Sequence, residues 1–167
     1  VIDDVTKKKV ILNHLKNKDI IIPLAALVGA PLCEKNKKLA TKLNVKVIEN
    51  ICHNLKKKQK IIFLTTNSGY GVGEKKKYCD ETSSLRPVSY YGKTKNQAEE
   101  IIRKRGNQIS FRLATVFGFS FRMRTDLLVN YMVLKAFKRK KVKIYEPHFR
   151  RNFVHILDVV KAIHFSI

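Results

Sequence analysis

Two uninterrupted apolar runs, separated by a long amphipathic stretch, constrain the fold of this chain more than any other feature. The first run covers residues 20–26, and the second covers residues 61–64 within a predicted strand at 60–66. Because a strand that is covered on both faces is apolar throughout, each run predicts a buried strand of a parallel sheet. Between the runs, apolar residues recur at three- and four-residue spacing, which predicts a helix over residues 34–58. A helix between two such strands is the crossover of a βαβ unit.

The alternation of strands and helices continues along the chain. The pattern predicts these further elements: a loop at 67–87, a helix at 90–105 ended by Gly106, a strand at 108–115, a helix at 126–138, short strand-like pieces at 142–145 and 152–154, and a helix at 156–167. Strands that alternate with helices of this length predict the α/β class with a doubly wound parallel sheet. The rhythm changes at residues 118–124, where we place a boundary.

The net charge of +22, from 35 Lys and Arg against 13 Asp and Glu, does not name a function. The lysines form short clusters beside the predicted elements, at residues 7–9, 56–58, 75–77 and 138–143. Lysine outnumbers arginine, and no zinc-finger, helix-turn-helix or RNP-like pattern accompanies it, so we expect solvated helix faces and turns and no specific nucleic-acid partner. Non-specific attraction to polyanions at low salt keeps a basic binding module open as an alternative.

Membrane association and metal binding are not predicted. No apolar run approaches the roughly 20 residues that a membrane-spanning helix needs. The three cysteines, Cys33, Cys52 and Cys79, lack the spacing of metal ligands. An odd number of cysteines is typical of free thiols in a reducing compartment, which predicts a cytoplasmic protein.

A tyrosine and a lysine stand four residues apart at the start of the helix predicted at 90–105. Tyr91 and Lys95 at this spacing lie on one helix face. A neighbouring ammonium favours the phenolate, and lowering a phenol pKa from about 10 to about 7 requires roughly 4 kcal/mol. Thr66 ends the second predicted strand, where ligands bind in open α/β sheets. Its hydroxyl can hydrogen-bond a reacting substrate oxygen there.

Four segments in chain order carry a resemblance to a known family. They are residues 63–71, 87–99, 112–118 and 151–159. Together they resemble the extended short-chain dehydrogenase/reductases, and within them the NAD-dependent epimerases and dehydratases of nucleotide sugars. The resemblance extends over nearly the whole chain and implies an incomplete Rossmann-like sheet. It implies that Tyr91 is the catalytic base, that Lys95 holds the nicotinamide ribose and lowers the Tyr91 pKa, and that Thr66 orients the sugar hydroxyl.

The resemblance also implies ligands. The cofactor is NAD, with NADP not excluded, and its expected contacts are Asp4, Val5, Leu24, Ala25, Ala26, Leu27, Val28, Asn44, Tyr91, Lys95 and Ala114. The substrate is a nucleotide sugar, contacted by Thr66, Thr115 and Arg151, with Arg151 on the diphosphate. In the implied reaction a proton leaves a sugar hydroxyl while NAD takes hydride from the same carbon. The keto-sugar is then epimerised, dehydrated or reduced, and a homodimer is expected by family analogy.

The chain departs from the family pattern in its phosphate loop. The family's glycine-rich loop is absent from the sequence, so we expect an internal fragment of a longer protein. Residues 1–118 are predicted to be part of an NAD-binding Rossmann domain, and residues 119–167 the start of a substrate-binding part. Thr115 and Asn152 replace a common Asn and Asp of the family.

Some residues and functions stay open at this stage. Glu81 is a candidate acid for dehydration, His155 is expected to be structural, and Arg122 and Arg124 face either phosphate or solvent. An NAD(P)-dependent reductase of a small carbonyl compound is the alternative within the enzymes. Arg151 argues against it, because a neutral substrate needs no diphosphate partner.

Overall fold

The structure, a computed structural model, describes residues 3–73 and 78–167. The helices and strands are α1 (Lys8–Leu15), β1 (Ile20–Ile21), α2 (Ala30–Lys35), α3 (Lys37–Thr41), a π-helical turn (Lys42–Lys46), α4 (Val47–Asn54), β2 (Lys60–Thr66), a 3₁₀ turn (Asn67–Gly69), α5 (Tyr90–Arg105), β3 (Gln108–Leu113), β4 (Thr115–Phe117), α6 (Leu128–Arg139), β5 (Phe153–His155) and α7 (Ile156–Phe165). The chain divides into two units, Val1–Arg112 and Leu113–Ile167.

The first unit is built on a three-stranded sheet in the order β1-β2-β3. β1 and β2 are parallel, with Ile20 opposite Lys60 and Ile21 opposite Ile61. A parallel pair needs a crossover, and the helical segment from α2 to α4 supplies it. The predicted α/β class with a parallel sheet is therefore confirmed.

β2 lies at the centre of the core. Ile61, Ile62 and Phe63 are at most 1% exposed, as expected for a strand that is covered on both faces. A buried hydrophobic core cluster joins this strand to helices α1, α4 and α5, through Ile11, Leu15, Val47, Ile48, Ile51, Ile61, Phe63, Ala98 and Ile102. α5 therefore rests directly on the strand that ends at Thr66.

The second unit contains a two-stranded parallel sheet, in which Thr115 of β4 lies opposite Phe153 of β5. α7 follows β5 at once, and His155 caps it, since its Nδ1 accepts a hydrogen bond from the Leu157 N–H at 3.3 Å. The buried amide of Asn130 fixes the turn before α6: its Oδ1 accepts from the Gly118 N–H at 3.3 Å. Two side chains thus fix the turns of this unit, and His155 has the expected structural contact.

Several boundaries differ from the sequence-based expectations. The first strand ends at Ile21 instead of residue 26, because Pro23 has no N–H to continue a ladder. The helical stretch expected at 34–58 is confirmed with shifted ends: the chain is helical from Ala30 to Asn54, with a break at Asn36 and a π-helical turn at Lys42–Lys46. The spacing of three and four residues is common to all these segments, so periodicity does not separate them.

Other expectations concern short elements. The strand-like piece at 142–145 is wrong, since these residues are largely exposed and belong to no strand. The pieces at 152–154 and 126–138 are confirmed with shifted ends as β5 and α6. α1 was not predicted, although Ile11 and Leu15 give it a buried face. The lysine cluster at 75–77 lies outside the described residues, and within them no helix is long and apolar enough to cross a bilayer.

Candidate active site

The first turn of α5 carries Tyr91 and is fixed by its caps. The Ser89 hydroxyl accepts a hydrogen bond from the Gly92 N–H at 3.1 Å, as an N-cap does. A Cβ added to Gly92 would lie 2.9 Å from the Ser68 carbonyl oxygen and 3.0 Å from the Pro87 Cβ. Glycine at this position therefore lets the 3₁₀ turn after β2 approach the helix, which places Thr66 and Tyr91 on elements in direct contact.

Thr66 ends β2 and caps the 3₁₀ turn that follows. Its Oγ1 accepts from the Ser68 N–H at 3.2 Å, and its hydroxyl donates to the Ser68 Oγ at 3.2 Å. Ser68 is thus a turn residue, as expected. The neighbouring Thr65 Oγ1 is buried without a hydrogen-bond partner among the described residues. Two hydroxyls, one of them with unused capacity, therefore stand at the carboxyl end of the central strand.

Lys95 is buried in the middle of the site. It is 5% exposed, and its Nζ lies 4.1 Å from the centre of the Phe63 ring. Burial lowers the pKa of Lys95 to about 8, while the charge of Glu99 acts in the opposite direction. A lysine in such surroundings places a cation close to the Tyr91 face of α5 without a shell of water.

Asn44 joins the end of β1 to α5. Its Oδ1 accepts from the Leu27 N–H at 2.8 Å, and its Nδ2 donates to the Leu27 carbonyl at 3.0 Å and to the Thr94 Oγ1 at 3.1 Å. The Thr94 hydroxyl in turn donates to the Tyr91 carbonyl at 3.0 Å. Asn44 is 2% exposed and lies in the π-helical turn, a local feature that is frequent at functional sites.

The segment after β1 leaves an apolar strip at the surface. Leu24 is 67% exposed and Val28 is 45% exposed, and Ala25 is exposed between them. The fully buried Cys33 donates to the Leu27 carbonyl at 3.2 Å, so Leu27 itself is held from inside. Of the predicted cofactor contacts in this segment, Leu24, Ala25 and Val28 are the most accessible, and Leu27 is fixed by its backbone.

Asp4 and Val5 have different surroundings. Asp4 is exposed, and hydrogen bonds from Thr6 lower the pKa of its carboxyl group. The Thr6 N–H donates to Asp4 Oδ1 at 2.9 Å. Val5 is half-buried and packs against the core cluster. A carboxylate thus stands at the surface beside an aliphatic side chain that also supports the core.

The sequence analysis missed a buried ion pair one turn beyond Lys95. Arg112 donates to Glu99 Oε1 from Nε at 2.8 Å and from NH2 at 2.7 Å. Its NH1 donates to the Tyr70 hydroxyl at 3.1 Å and to the Glu81 carbonyl at 3.4 Å. These bonds raise the pKa of Arg112 above its usual value. The i,i+4 spacing of Lys95 and Glu99 places Glu99 on the face of α5 that carries Lys95, but no local pattern pairs it with Arg112 on β3.

Three predicted ligand contacts belong to the second unit. Thr115 begins β4, and its N–H donates to the Asn152 carbonyl at 3.2 Å. Ala114 is half-buried and Arg151 is exposed. The roles of these residues, and their grouping with Tyr91 in one site, stay predictions. Arg124 forms an exposed ion pair with Asp126 at 2.6 Å.

A small pocket lies in the loop after the 3₁₀ turn. Its volume is about 170 Å³, and Tyr70, Cys79, Asp80 and Arg86 are among its lining residues. Gly71 has φ +73°, and a Cβ there would clash with the Arg86 carbonyl, so the loop depends on glycine at this point. Glu81 is exposed beside the pocket, and its candidate role as an acid stays a prediction. No cluster of three or more metal-ligating side chains occurs in the described part of the chain.

The parallel sheet, the crossover helices and the polar groups at the strand ends define a Rossmann-type α/β protein. The profile of the NAD dependent epimerase/dehydratase family matches residues 2–167. The chain belongs to this family, as the four segments at residues 63–71, 87–99, 112–118 and 151–159 predicted.

Individual relatives agree with the family assignment. The chain is 28% identical over 158 residues to an uncharacterized UDP-glucose epimerase, YtcB, of Bacillus subtilis (strain 168), covering 89% of this chain and 49% of that protein. It is 25% identical over 154 residues to UDP-glucuronate 4-epimerase 4 of Arabidopsis thaliana, covering 85% and 35%. It spans half or less of the length of these two relatives.

A solved structure shares the fold. The UDP-glucuronic acid 4-epimerase from Bacillus cereus, in complex with UDP-glucuronic acid and NAD, superimposes with a TM-score of 0.82 at 23% identity. The match covers 98% of this chain and 54% of that one. The described architecture is therefore that of about half of such an enzyme.

Proposed function

We propose that the protein containing this chain is an NAD-dependent nucleotide-sugar epimerase or dehydratase, in which Tyr91 removes the proton of a sugar hydroxyl. The observation that carries the proposal is the burial of Lys95 on the same helix face as Tyr91, behind the turn that begins at Thr66. A buried cation has no stabilising role of its own, because desolvation makes it costly. A catalytic role for it is therefore favoured.

The residues present fit NAD. The apolar strip of Leu24, Ala25 and Val28 offers a surface for a flat ring, and Lys95 offers a donor for ribose hydroxyls. Asn44 is fully used in holding Leu27 and Thr94, so we assign it the role of shaping this surface. Asp4 and Val5 supply the acidic and aliphatic side chains that the adenine end is expected to meet. NADP stays an alternative.

Each residue of the site has a chemical task in the proposed reaction. The positive charge of Lys95 favours the Tyr91 phenolate, which accepts the hydroxyl proton. The Thr66 hydroxyl can exchange its bond to the Ser68 Oγ for a bond to the same sugar oxygen, which orients that oxygen. When bound, NAD accepts the hydride from the carbon that carries this oxygen.

The substrate proposal rests on the family and on two further residues. Relatives are described as acting on UDP-glucose or UDP-glucuronate, and a nucleotide sugar carries a diphosphate. Arg151 can bind that group with its planar guanidinium, and we assign Thr115 to contact the sugar. We assign residues 1–118 to the cofactor-binding part and 119–167 to the substrate-binding part. A homodimer in the cytoplasm completes the proposal.

Two tyrosines at the start of α5 provide a matched test. In the full-length protein with NAD, Tyr91→Phe removes the base, and we expect turnover of UDP-glucuronic acid or UDP-glucose to fall by at least about 100-fold. NAD binding, followed by fluorescence, should change little. Tyr90→Phe is the control, because the Tyr90 hydroxyl is bonded to Thr41 Oγ1 at 2.7 Å and we assign it no catalytic task. Equal turnover in the Tyr91→Phe variant and the wild type would refute the assignment.

A further inference from the structure

One buried charged group has no task in the proposed reaction. Glu99 is 8% exposed and lies one helical turn after Lys95, and its Oε1 is bonded to Arg112. Its second oxygen, Oε2, is buried without a hydrogen-bond partner among the described residues. A buried carboxylate with an unused oxygen costs stability, so its presence calls for a positive role.

Arg112 connects this carboxylate to the pocket loop. From β3 its guanidinium donates to Glu99 on α5, to the Tyr70 hydroxyl at 3.1 Å and to the Glu81 carbonyl at 3.4 Å, and its charge lies 5.2 Å from the centre of the Tyr70 ring. Tyr70 lines the pocket of about 170 Å³. One side chain thus holds the catalytic helix and the pocket wall in a fixed relation.

Lys95 precedes this carboxylate by one turn of α5, and the negative charge of Glu99 raises the pKa of Lys95 against the effect of its burial. Residues four apart share a helix face, so Tyr91, Lys95 and Glu99 follow one another along α5. Among the described residues, Glu99 is the charged group that acts on Lys95, and Tyr91 is the titratable group one turn before it on the same helix. Arg112 on β3 and Tyr70 after β2 are linked to Lys95 only through Glu99, and β2 presents the neutral Phe63 ring. Glu99 is therefore the acidic counter-charge of Lys95.

We propose that Glu99 is a positioning residue of the active site, which keeps the Lys95 ammonium charged and in place and, through Arg112, ties the catalytic helix to the pocket wall at Tyr70. The proposal rests on the proposed function for its catalytic consequence. Its structural consequences hold for the protein without substrate or cofactor. The role has two separate parts: the charge of Glu99 acts on Lys95, and the hydrogen bonds of Arg112 act on the loop that carries Tyr70.

The effect of Glu99 on Lys95 is tested by nuclear magnetic resonance on the full-length protein with ¹³C-methylated lysines. The Lys95 signal is assigned with a Lys95→Met variant and titrated between pH 6 and pH 11. In Glu99→Gln the opposite charge is lost, so we expect the pKa of Lys95 to fall by about 1 below the wild-type value. Glu100→Gln is the matched control, because Glu100 is an exposed neighbour paired with Arg103, and the Lys95 titration should not move.

The effect of Arg112 on the loop is tested with Tyr70→Phe, which deletes one oxygen and leaves the ion pair between Glu99 and Arg112 intact. We expect faster amide hydrogen exchange in residues 70–73 and 78–86 and a several-fold higher KM for UDP-glucuronic acid, with the Lys95 titration unchanged. In Glu99→Gln the alkaline limit of kcat should move to lower pH together with the Lys95 signal. If Glu99 were merely structural, Glu99→Gln would lower stability without shifting the Lys95 pKa, and Tyr70→Phe would not change loop exchange alone.

The outcomes separate this proposal from the function proposed above. An unchanged Lys95 titration in folded Glu99→Gln, or unchanged exchange of the loop in Tyr70→Phe, overturns the positioning role. If Glu99→Gln does not fold, the Tyr70→Phe exchange decides alone, since that variant keeps the buried pair. If the Lys95 pKa and the loop exchange both change as expected but the wild-type protein does not turn over UDP-sugars, the positioning role is supported and the proposed reaction is not. The two outcomes are distinguishable because titration and exchange are measured without substrate.

Discussion

Replacing Lys95 by methionine should make the protein more stable at neutral pH while it removes the proposed activity. Burial lowers the pKa of Lys95 from 10.5 to about 8. Each pKa unit corresponds to about 1.36 kcal/mol, so the buried ammonium costs about 3 kcal/mol of folding free energy below pH 8. Methionine has nearly the same length and no charge, so it keeps the contact with the Phe63 ring without that cost.

The sign of the pH dependence follows from where the proton is bound. Between pH 8 and pH 10.5 the unfolded chain keeps the Lys95 proton and the folded chain releases it. Wild-type stability therefore gains from rising pH in this window, whereas Lys95→Met lacks that gain. We expect the stability difference between the two proteins to narrow by about 3 kcal/mol from pH 8 to pH 10.5.

Urea unfolding at a series of pH values measures the effect, and Lys93→Met is the matched control. Lys93 is an exposed lysine in the same helix, so its substitution should leave the pH dependence close to that of the wild type. A stability difference for Lys95→Met that stays constant from pH 8 to pH 10.5 would refute the burial argument. So would an equal narrowing in the Lys93→Met control.

Three further substitutions or reactions test the geometry of the site. Gly92→Ala places a Cβ 2.9 Å from the Ser68 carbonyl oxygen, so kcat/KM of the full-length enzyme should fall by about 10-fold or more while circular dichroism stays unchanged. Asn44→Ala removes three hydrogen bonds of a buried side chain and should lower the free energy of unfolding by about 3 kcal/mol and the exchange protection of the Leu27 amide. Half-buried Asn36→Ala removes one bond, to the Leu32 carbonyl, and should cost about 1 kcal/mol or less. With Ellman's reagent, exposed Cys79 should react in the native protein, and buried Cys33 only after denaturation, because burial raises the pKa of its thiol.

The sequence predicts the elements that carry strong local signals. The strand predicted at 60–66 has the same bounds as β2, because its apolar residues are continuous, as in a strand that is buried on both faces. α5 runs from Tyr90 to Arg105 as expected, because Ser89 caps its start and Gly106 takes φ +76° at its end. The family and its site motifs follow from the same signals, together with their order along the chain.

The rest depends on contacts that are distant in sequence. The π-helical turn has the same apolar spacing as an ordinary helix, and its reason appears only in the bonds from Asn44 to Leu27 and Thr94. The strand predicted at 142–145 does not form, because a segment with alternating side chains becomes a strand only beside a partner strand. The bond between Glu99 and Arg112 joins residues that local patterns treat as surface charges.

The charges of α5 show how a costly functional group can be kept in a folded chain. Lys95 is destabilising by itself, and Glu99 reduces that cost while adding a buried carboxylate of its own. Arg112 pairs with the carboxylate and reaches the half-buried Tyr70 at the pocket, where the series of charges ends near solvent. A cation, an anion and a cation thus alternate from the core towards the surface. Each opposite charge reduces the free-energy cost of burying the charge before it. The net charge of +22 is spread over exposed lysines, and the part of it that shapes chemistry in this unit is this short buried series.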